Sequence, residues 1–555
     1  MINSATTDSA MTETTCQNNV ALAVLTTLRN YGIDTVFGIP GTHNLELYRA
    51  LPRLGIRAVT NRHEQGSGYG ADGWSLQTGL PGVVITTSGP GLLNALSSVA
   101  TAYAESRPMI VLTPGPSLGE EFADVGALHE TKDSQAAAEA VAEWSRRVSS
   151  APEAVRAVHE AFELFRTGRP RPVVIEIPLD VLEAPIDLGQ LDLGARPLPA
   201  ARRAPEDQVQ EAARLLSSAT SPVIVYGGGS LGAGHRLVTL AELADAPVVT
   251  TLNGRAAIPE THPLSLGAAL RLKTAQAVVN AADVLIVVGS KVGEAELWWG
   301  PLSPSGAVVR IDRLQSQLHK NLPAQVGIAA DAEAVVDQLI EALTPLDRKE
   351  RRVSGARRAA EVRTAIEAES RDWSPAVVAV SEAIAAALPD DVILGADSSQ
   401  ICYYGTANHI PLARRNSYLY MATYATLGYG LPASIGAGIA DDSRPVVCVV
   451  GDGALMFSIQ ELVTAVEQRL DLVVVVVDNG GYKEIEENEA SVGIAPIGVR
   501  LTQPDWAALA QAFGATGRRI ASPGELEPAV AAAVSAGGVQ LVHVPLALFS
   551  EEATR

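Results

Sequence analysis

The sequence predicts an α/β protein of three doubly wound parallel-sheet domains, and three observations carry that prediction. Apolar runs of strand length near Arg57 to Thr60, Val83 to Thr87, Met109 to Thr113 and Pro172 to Ile177 alternate with helical stretches, the rhythm of parallel sheets covered by crossover helices. At 555 residues the chain exceeds what one hydrophobic core supports, so two or three domains are expected. Two stretches interrupt the rhythm: 183–206, rich in Pro, Ala and Leu, reads as a linker, and the charged stretch 346–372 reads as a helical connector. The expected domains are therefore 18–183, 200–345 and 374–550.

Taken in order, residues 1–17 (MINSATTDSAMTETTCQ) are polar and lack the basic start and apolar core of a signal peptide, so disorder is expected there. From about Asn18 an amphipathic helix, a VFGIPG strand and turn, and the runs above build the first sheet. The middle domain carries four apolar runs, SPVIVYGGGS, APVVTTL, ADVLIVVGS and AVVRID. Its glycines, Gly227 to Gly229, lack the full spacing of a dinucleotide fingerprint. From about Ser374 the logic of the first domain repeats.

Composition narrows the classes of function. Hydrophobic residues make up 47% and charged residues 19% of the chain, and no uncharged apolar run reaches the ~18 residues of a membrane span. A net charge of −20 argues against nucleic-acid binding, which needs a basic patch. Cys16, Cys402 and Cys448 are few, odd in number and widely spaced, so neither a disulfide framework nor a zinc site is expected, and a reducing cytoplasm fits.

The chemistry is concentrated in 446–482, VVCVVGDGALMFSIQELVTAVEQRLDLVVVVVDNGGY: a buried strand, a tight acidic turn, a helix, a second buried strand and a glycine turn. Asp452 sits between Gly451 and Gly453 where the first strand ends, which frees its carboxylate and lets a ligand approach the backbone closely. Asn479 arrives at the same sheet edge, where its amide oxygen and the Gly481 carbonyl can add neutral oxygen ligands. One carboxylate with neutral oxygens suits Mg²⁺ carrying a diphosphate.

This segment resembles the signature of thiamine diphosphate enzymes, with Asp478–Asn479 standing where relatives have Asn–Asn. The resemblance implies a first domain that binds the cofactor's pyrimidine, a Rossmann-like middle domain, and a last domain that binds its diphosphate and Mg²⁺. It also implies a homodimer or homotetramer with active sites at subunit interfaces. It assigns to Glu64, opening a helix within NRHEQGSGYGADGW, the hydrogen bond to the aminopyrimidine N1′ that makes the cofactor its own base. Thr87 and Ser88, in VVITTSGPGLLNA, are placed toward the reacting carbon. Leu427 matches the bulky residue that bends the cofactor, and the Ala425 carbonyl, at a position usually glycine, accepts from the 4′-amino group. Ser399, Gln400, Tyr482 and the backbone N–H groups of Ala454 and Leu455 complete the cofactor's surroundings.

The substrate is addressed by residues the cofactor does not dictate. Thr42 and His43 in GIPGTHNLELY and His129 in ALHETKDSQ are candidates beside the reacting centre, the histidines for proton transfer. Across nearly its full length the chain resembles 5-guanidino-2-oxopentanoate (2-ketoarginine) decarboxylases, notably through FGIPGTHNLELYRAL, ALHE, DNGGYKEI and IAPIGVRLTQPDW. The resemblance implies a small 2-oxo acid substrate, with arginine metabolism as the setting. A cationic guanidinium tail prefers carboxylates. Of Glu484, Glu486, Glu487 and Glu489, helical spacing puts Glu484 and Glu487 on one face, whereas relatives often carry basic residues here. Carboligation, as in acetolactate synthase-like relatives, is the alternative reaction. A non-catalytic homologue is the third reading, opposed by the intact Glu64, Asp452 and Asn479.

Overall fold

A computed structural model describes residues 18–346 and 353–550; the expected disorder of 1–17 lies outside them. The chain forms three all-parallel sheets. The first contains β1 (Thr35–Gly38), β2 (Arg57–Thr60), β3 (Gly82–Ile85), β4 (Met109–Gly115), β5 (Trp144–Arg147) and β6 (Val173–Pro178). The central one contains β7 (Val223–Tyr226), β8 (Val248–Thr250), β9 (Val284–Val288), β10 (Ala307–Asp312) and β11 (Val326–Ala329). The last contains β12 (Ile393–Ala396), β13 (Tyr418–Leu419), β14 (Val446–Gly451), β15 (Leu472–Asp478), β16 (Thr516–Arg519) and β17 (Val539–Pro545). Their interior strands, such as Val473–Val477 of β15, are unbroken apolar runs because helices cover both faces.

The strand orders reveal the repeat. The first sheet runs β2-β1-β3-β4-β6-β5 and the last β13-β12-β14-β15-β17-β16, the same winding with every strand eleven places further along the chain. Three edge strands lack an apolar signal, β5, β13 and β16, the last reading TGRR. Strand β5, WSRR, is held by polar contacts: Arg147 pairs with Glu176 on β6 and with Glu121. Strand β13 is only two residues long. The single helix expected after Asp452 is split into Asp452–Leu455 and Glu461–Glu467. Among the described residues no helix is long and apolar enough to cross a membrane.

The two outer domains meet through the helices Glu64–Thr78 and Gly430–Ala440. Their glycines let the backbones touch: a Cβ on Gly436 would lie 1.8 Å from the Gly70 carbonyl oxygen, and one on Gly73 1.9 Å from that of Ala433. Gly436→Ala is therefore expected to force the helices apart at a cost of about 1–3 kcal/mol or more. Calorimetry checks this as a lowered unfolding midpoint, and an unchanged midpoint would show that the contact yields freely.

Candidate functional site

In both outer sheets the chain turns one way after the first strand and the other way after the third. Crevices therefore open beyond the C-terminal ends of β1 and β3 and of β12 and β14, where open α/β sheets receive ligands. The candidate residues gather at these two crevices.

At the first, the turn after β1 is fixed by Asn44. Its side chain accepts from Gly41 N–H at 2.8 Å and donates to the Ile39 carbonyl at 3.0 Å, setting exposed Thr42 and half-buried His43 at the sheet edge. His43 Nδ1 lies 2.6 Å from Ser88 Oγ, and His129 Nδ1 lies 3.3 Å from the same atom. The rings meet edge to face at 5.0 Å. The loop carrying His129 approaches so closely that a Cβ on Gly89 would lie 2.3 Å from the His129 carbonyl oxygen. Burial, then the nearby His129, lowers the His43 pKa, with Glu183 opposing.

Glu64 is buried at the first turn of its helix, where His63 Nδ1 accepts from Gln65 N–H as a cap. Asn94 Nδ2 donates to Glu64 Oε2 at 3.0 Å. The other oxygen faces the turn after β3, 3.3 Å from where a Cβ on Gly91 would stand. The Thr87 methyl packs at the same glycine, and its Oγ1, turned toward Gly41, is buried without a hydrogen-bond partner among the described residues.

At the second crevice, Asp452 is 1% exposed. Its Oδ1 accepts from Asn479 N–H at 3.3 Å, while Oδ2 has no partner among the described residues. Burial, with Asp478 adding to it and the Asn479 N–H opposing, pushes this carboxyl up to about 6. The end of the Asn479 amide lies 3.0 Å from the Gly481 carbonyl and 3.1 Å from Asp452 Oδ1, and its nitrogen donates to both in the metal-free protein. Turned over, the amide aims its oxygen at these two groups and its nitrogen at Gln400 Oε1, 3.3 Å away. Ser399 Oγ accepts from Gly451 N–H at 3.3 Å, and the Tyr482 ring packs over Gly453. Ala454 and Leu455 lie in a first helical turn, whose N–H groups have no partners within the helix.

Gln400 also reaches in the other direction. Its Nε2 donates to Glu487 at 2.9 Å and Glu484 at 3.2 Å, and Tyr404 Oη donates to Glu484 at 3.0 Å. Tyr404 stands on a wide π-type turn, Ile401–Thr406, a distortion that recurs at functional sites. Glu486 points elsewhere, pairing with Lys483 and Arg500, and Glu489 accepts from Ile497 N–H. Among the described residues neither Glu484 nor Glu487 forms an ion pair, and burial together with Glu484 raises the Glu487 pKa.

Leu427 and Ala425 sit in the segment tied to β12 by Asp397, whose carboxylate accepts from the N–H groups of Ser398, Gly428 and Gly430 at 2.8 to 3.2 Å. Burial pushes this carboxyl up to about 7 despite those donors. Ala425 has φ +52, a left-handed conformation that costs an L-residue roughly 1–2 kcal/mol and that glycine adopts freely.

Sequence reasoning missed several supporting residues. Asp397 and Tyr404 flank Ser399 and Gln400 and had a signal in their position at a strand end. His543 and Glu461 had none. His543 Nε2 lies 3.0 Å from Asp478 Oδ2, giving the acid that replaces asparagine a partner two strands later in sequence. Glu461, fully buried, accepts from Asn61 Nδ2 and from the Arg62 and His63 N–H groups just before Glu64. Among the described residues no hydrogen bond joins the two crevices directly.

Comparison with known proteins gives the same division. Residues 18–138, 209–339 and 401–544 match, in turn, the N-terminal TPP binding, central and C-terminal TPP binding domains of thiamine pyrophosphate enzymes. A probable 2-ketoarginine decarboxylase of Pseudomonas aeruginosa is 36% identical over 529 residues, covering 94% of this chain and 93% of the relative. A probable acetolactate synthase large subunit of Methanocaldococcus jannaschii is 30% identical over 94% of this chain and 91% of its own. The large subunit of Escherichia coli acetolactate synthase isozyme 1 is 32% identical over 83% and 82%, respectively.

Proposed function

The chain belongs to the thiamine pyrophosphate enzyme family, and from that premise we propose that it catalyses Mg²⁺-dependent, non-oxidative decarboxylation of 5-guanidino-2-oxopentanoate (2-ketoarginine) to 4-guanidinobutanal and CO₂. The observation that carries the choice of substrate is the pair Glu484 and Glu487, turned onto Gln400 and Tyr404 and free of ion pairs beside the Asp452–Asn479 cluster. Two carboxylates one helical turn apart match the donor fork of a guanidinium.

The second crevice fits a hard cation. Three oxygens, from Asp452, Gly481 and an Asn479 amide turned oxygen-inward, would face a cation there, the Asn479 end standing 3.0 and 3.1 Å from the other two. Neighbouring ligands of an octahedral Mg²⁺ at about 2.0–2.1 Å stand about 3.0 Å apart. With the amide oxygen inward, the Asn479 nitrogen keeps an acceptor in Gln400. The unpartnered Asp452 Oδ2 supplies further anionic character. Ser399, Tyr482 and the N–H groups of Ala454 and Leu455 would line the diphosphate, and Leu427 and the Ala425 carbonyl the pyrimidine side.

Bound thiamine diphosphate supplies a carbon nucleophile and a sink for the electrons freed with CO₂. This chain's own groups do the rest. Glu64, oriented by Asn94, shares a proton with the pyrimidine nitrogen. His43 and His129 move protons at the substrate, and Thr87 borders it. Thr42 and Ser88 stand at the substrate's edge. Self-association completes the site in this reading: among the described residues no hydrogen bond joins the two crevices, and Leu93, Phe122, Met456 and Phe457 are exposed apolar side chains.

Glu484→Gln and Glu487→Gln are each expected to raise KM for 2-ketoarginine about tenfold or more, because a charge-assisted hydrogen bond contributes about 1.5–3 kcal/mol. KM for pyruvate should hardly move, and equal effects on both would dismiss tail recognition. The reaction itself is tested by CO₂ release and product mass spectrometry with 2-ketoarginine, pyruvate and benzoylformate. Preference for 2-ketoarginine with the guanidino aldehyde as product supports the proposal. A coupled product, or preference for pyruvate, favours carboligation, the activity named for the acetolactate synthase relatives.

A further inference from the structure

We propose that Ser88 is a positioning residue that holds His43 and His129 in opposite tautomers and joins them into a proton relay; the relay rests on the decarboxylase reading above. Both rings address one hydroxyl through Nδ1, His43 at 2.6 Å and His129 at 3.3 Å. A hydroxyl has one proton to give, so between two neutral rings it donates to one Nδ1 and accepts from the other. The shorter contact suits O–H donation and the longer one acceptance from N–H. This assigns His43 a bare Nδ1 with its proton on Nε2, and His129 an Nδ1–H with a bare Nε2. Among the described residues neither Nε2 has a hydrogen-bond partner, so each is available to substrate or solvent.

Ser88 is 7% exposed and cannot exchange this role freely with water. Gly89, at φ +59 against the His129 carbonyl, fixes the loop that brings the second ring in. His129 and Glu183 are the titratable groups acting on His43, the first favouring and the second opposing the neutral ring.

Decarboxylation to an aldehyde replaces a C–C bond with a C–H bond. The electron pair left by CO₂ takes the proton of His43 Nε2, and Ser88 passes its proton to His43 Nδ1. His129 Nδ1–H then passes to Ser88, and solvent supplies a proton to His129 Nε2. All three residues end neutral with the tautomers reversed. When the aldehyde forms and its bond to the cofactor carbon breaks, the hydroxyl proton would return to the now bare His43 Nε2, His43 Nδ1–H would pass back to Ser88 and Ser88 to His129 Nδ1, and His129 Nε2 would release its proton to solvent, which resets the relay. The two directions of transfer thus belong to one turnover.

The test is ¹⁵N NMR of histidine-labelled holoenzyme, with the two rings assigned through His43→Gln and His129→Gln. The expected result is an Nε2–H tautomer for His43 and an Nδ1–H tautomer for His129. Both rings in the same tautomer would overturn the proposal without recourse to any Ser88 variant. Ser88→Ala is expected to lower kcat about tenfold or more, up to the ~10²–10⁴ that acid–base groups contribute, to change the pH profile, and to release both tautomer preferences; Ser88→Thr should restore all three. An unchanged profile in Ser88→Ala overturns the relay. Opposite tautomers without CO₂ release from any 2-oxo acid overturn the relay through the decarboxylase reading, whereas CO₂ release with matching tautomers overturns Ser88's role alone.

Discussion

Replacing Asp452 with alanine is expected to weaken Mg²⁺-dependent binding of thiamine diphosphate by at least about a hundredfold. The floor comes from metal sites in which even residues outside the coordination sphere are worth about 10–100-fold in affinity. Asp452 is the one carboxylate of the three proposed oxygen ligands, and the others are the Asn479 amide, turned oxygen-inward, and the Gly481 carbonyl. Alanine leaves the cation two neutral ligands. The fold should not suffer, because in the metal-free protein this carboxyl is buried and pushed up to about 6 despite its hydrogen-bond donors. Its ionisation there opposes folding, so the metal-free variant should melt no earlier than the metal-free wild type. Isothermal titration with Mg²⁺ and cofactor, alongside calorimetry of both apoproteins, separates the outcomes. Unchanged cofactor affinity would remove Asp452 from the site.

Glu64→Gln is expected to lower kcat by about 10²–10⁴-fold while cofactor affinity stays within a few-fold, the usual weight of a proton-transfer group. Glutamine keeps the volume, and its amide oxygen can still accept from Asn94, so the surroundings of Thr87 and Gly91 are preserved. What it loses is a carboxylate able to share a proton. Single-turnover kinetics together with cofactor titration check this, and full activity in the variant would dismiss the assignment. Weakened binding at normal kcat would make Glu64 a structural residue of its helix terminus.

Much of the candidate site was readable because the chemistry is local. Asp452 stands between two glycines at the end of an apolar strand, and Asn479 follows the next strand. The register of β14 beside β15 carries both to one edge by geometry alone. The three-sheet class follows from the same alternation of apolar runs and helices. Strands β5, β13 and β16 escaped because edge strands need little apolar surface, and the helix after Asp452 broke in a way its composition does not announce.

Other decisions belong to tertiary structure. No spacing rule joins His43, Ser88 and His129, which come from three loops that the strand order folds onto one crevice. Helical spacing paired Glu484 with Glu487. Only packing turned that face onto Gln400 and Tyr404, and gave Glu486 to Lys483 and Arg500. Asp478 finds His543, and Glu461 caps the approach to Glu64 from across a domain boundary. The sequence by itself determined the strands, their parallel class and the metal-side motif, because these depend on periodicity and neighbours. The tertiary structure alone decided which distant polar groups share a site, because such contacts depend on strand order and on backbones close enough to exclude water.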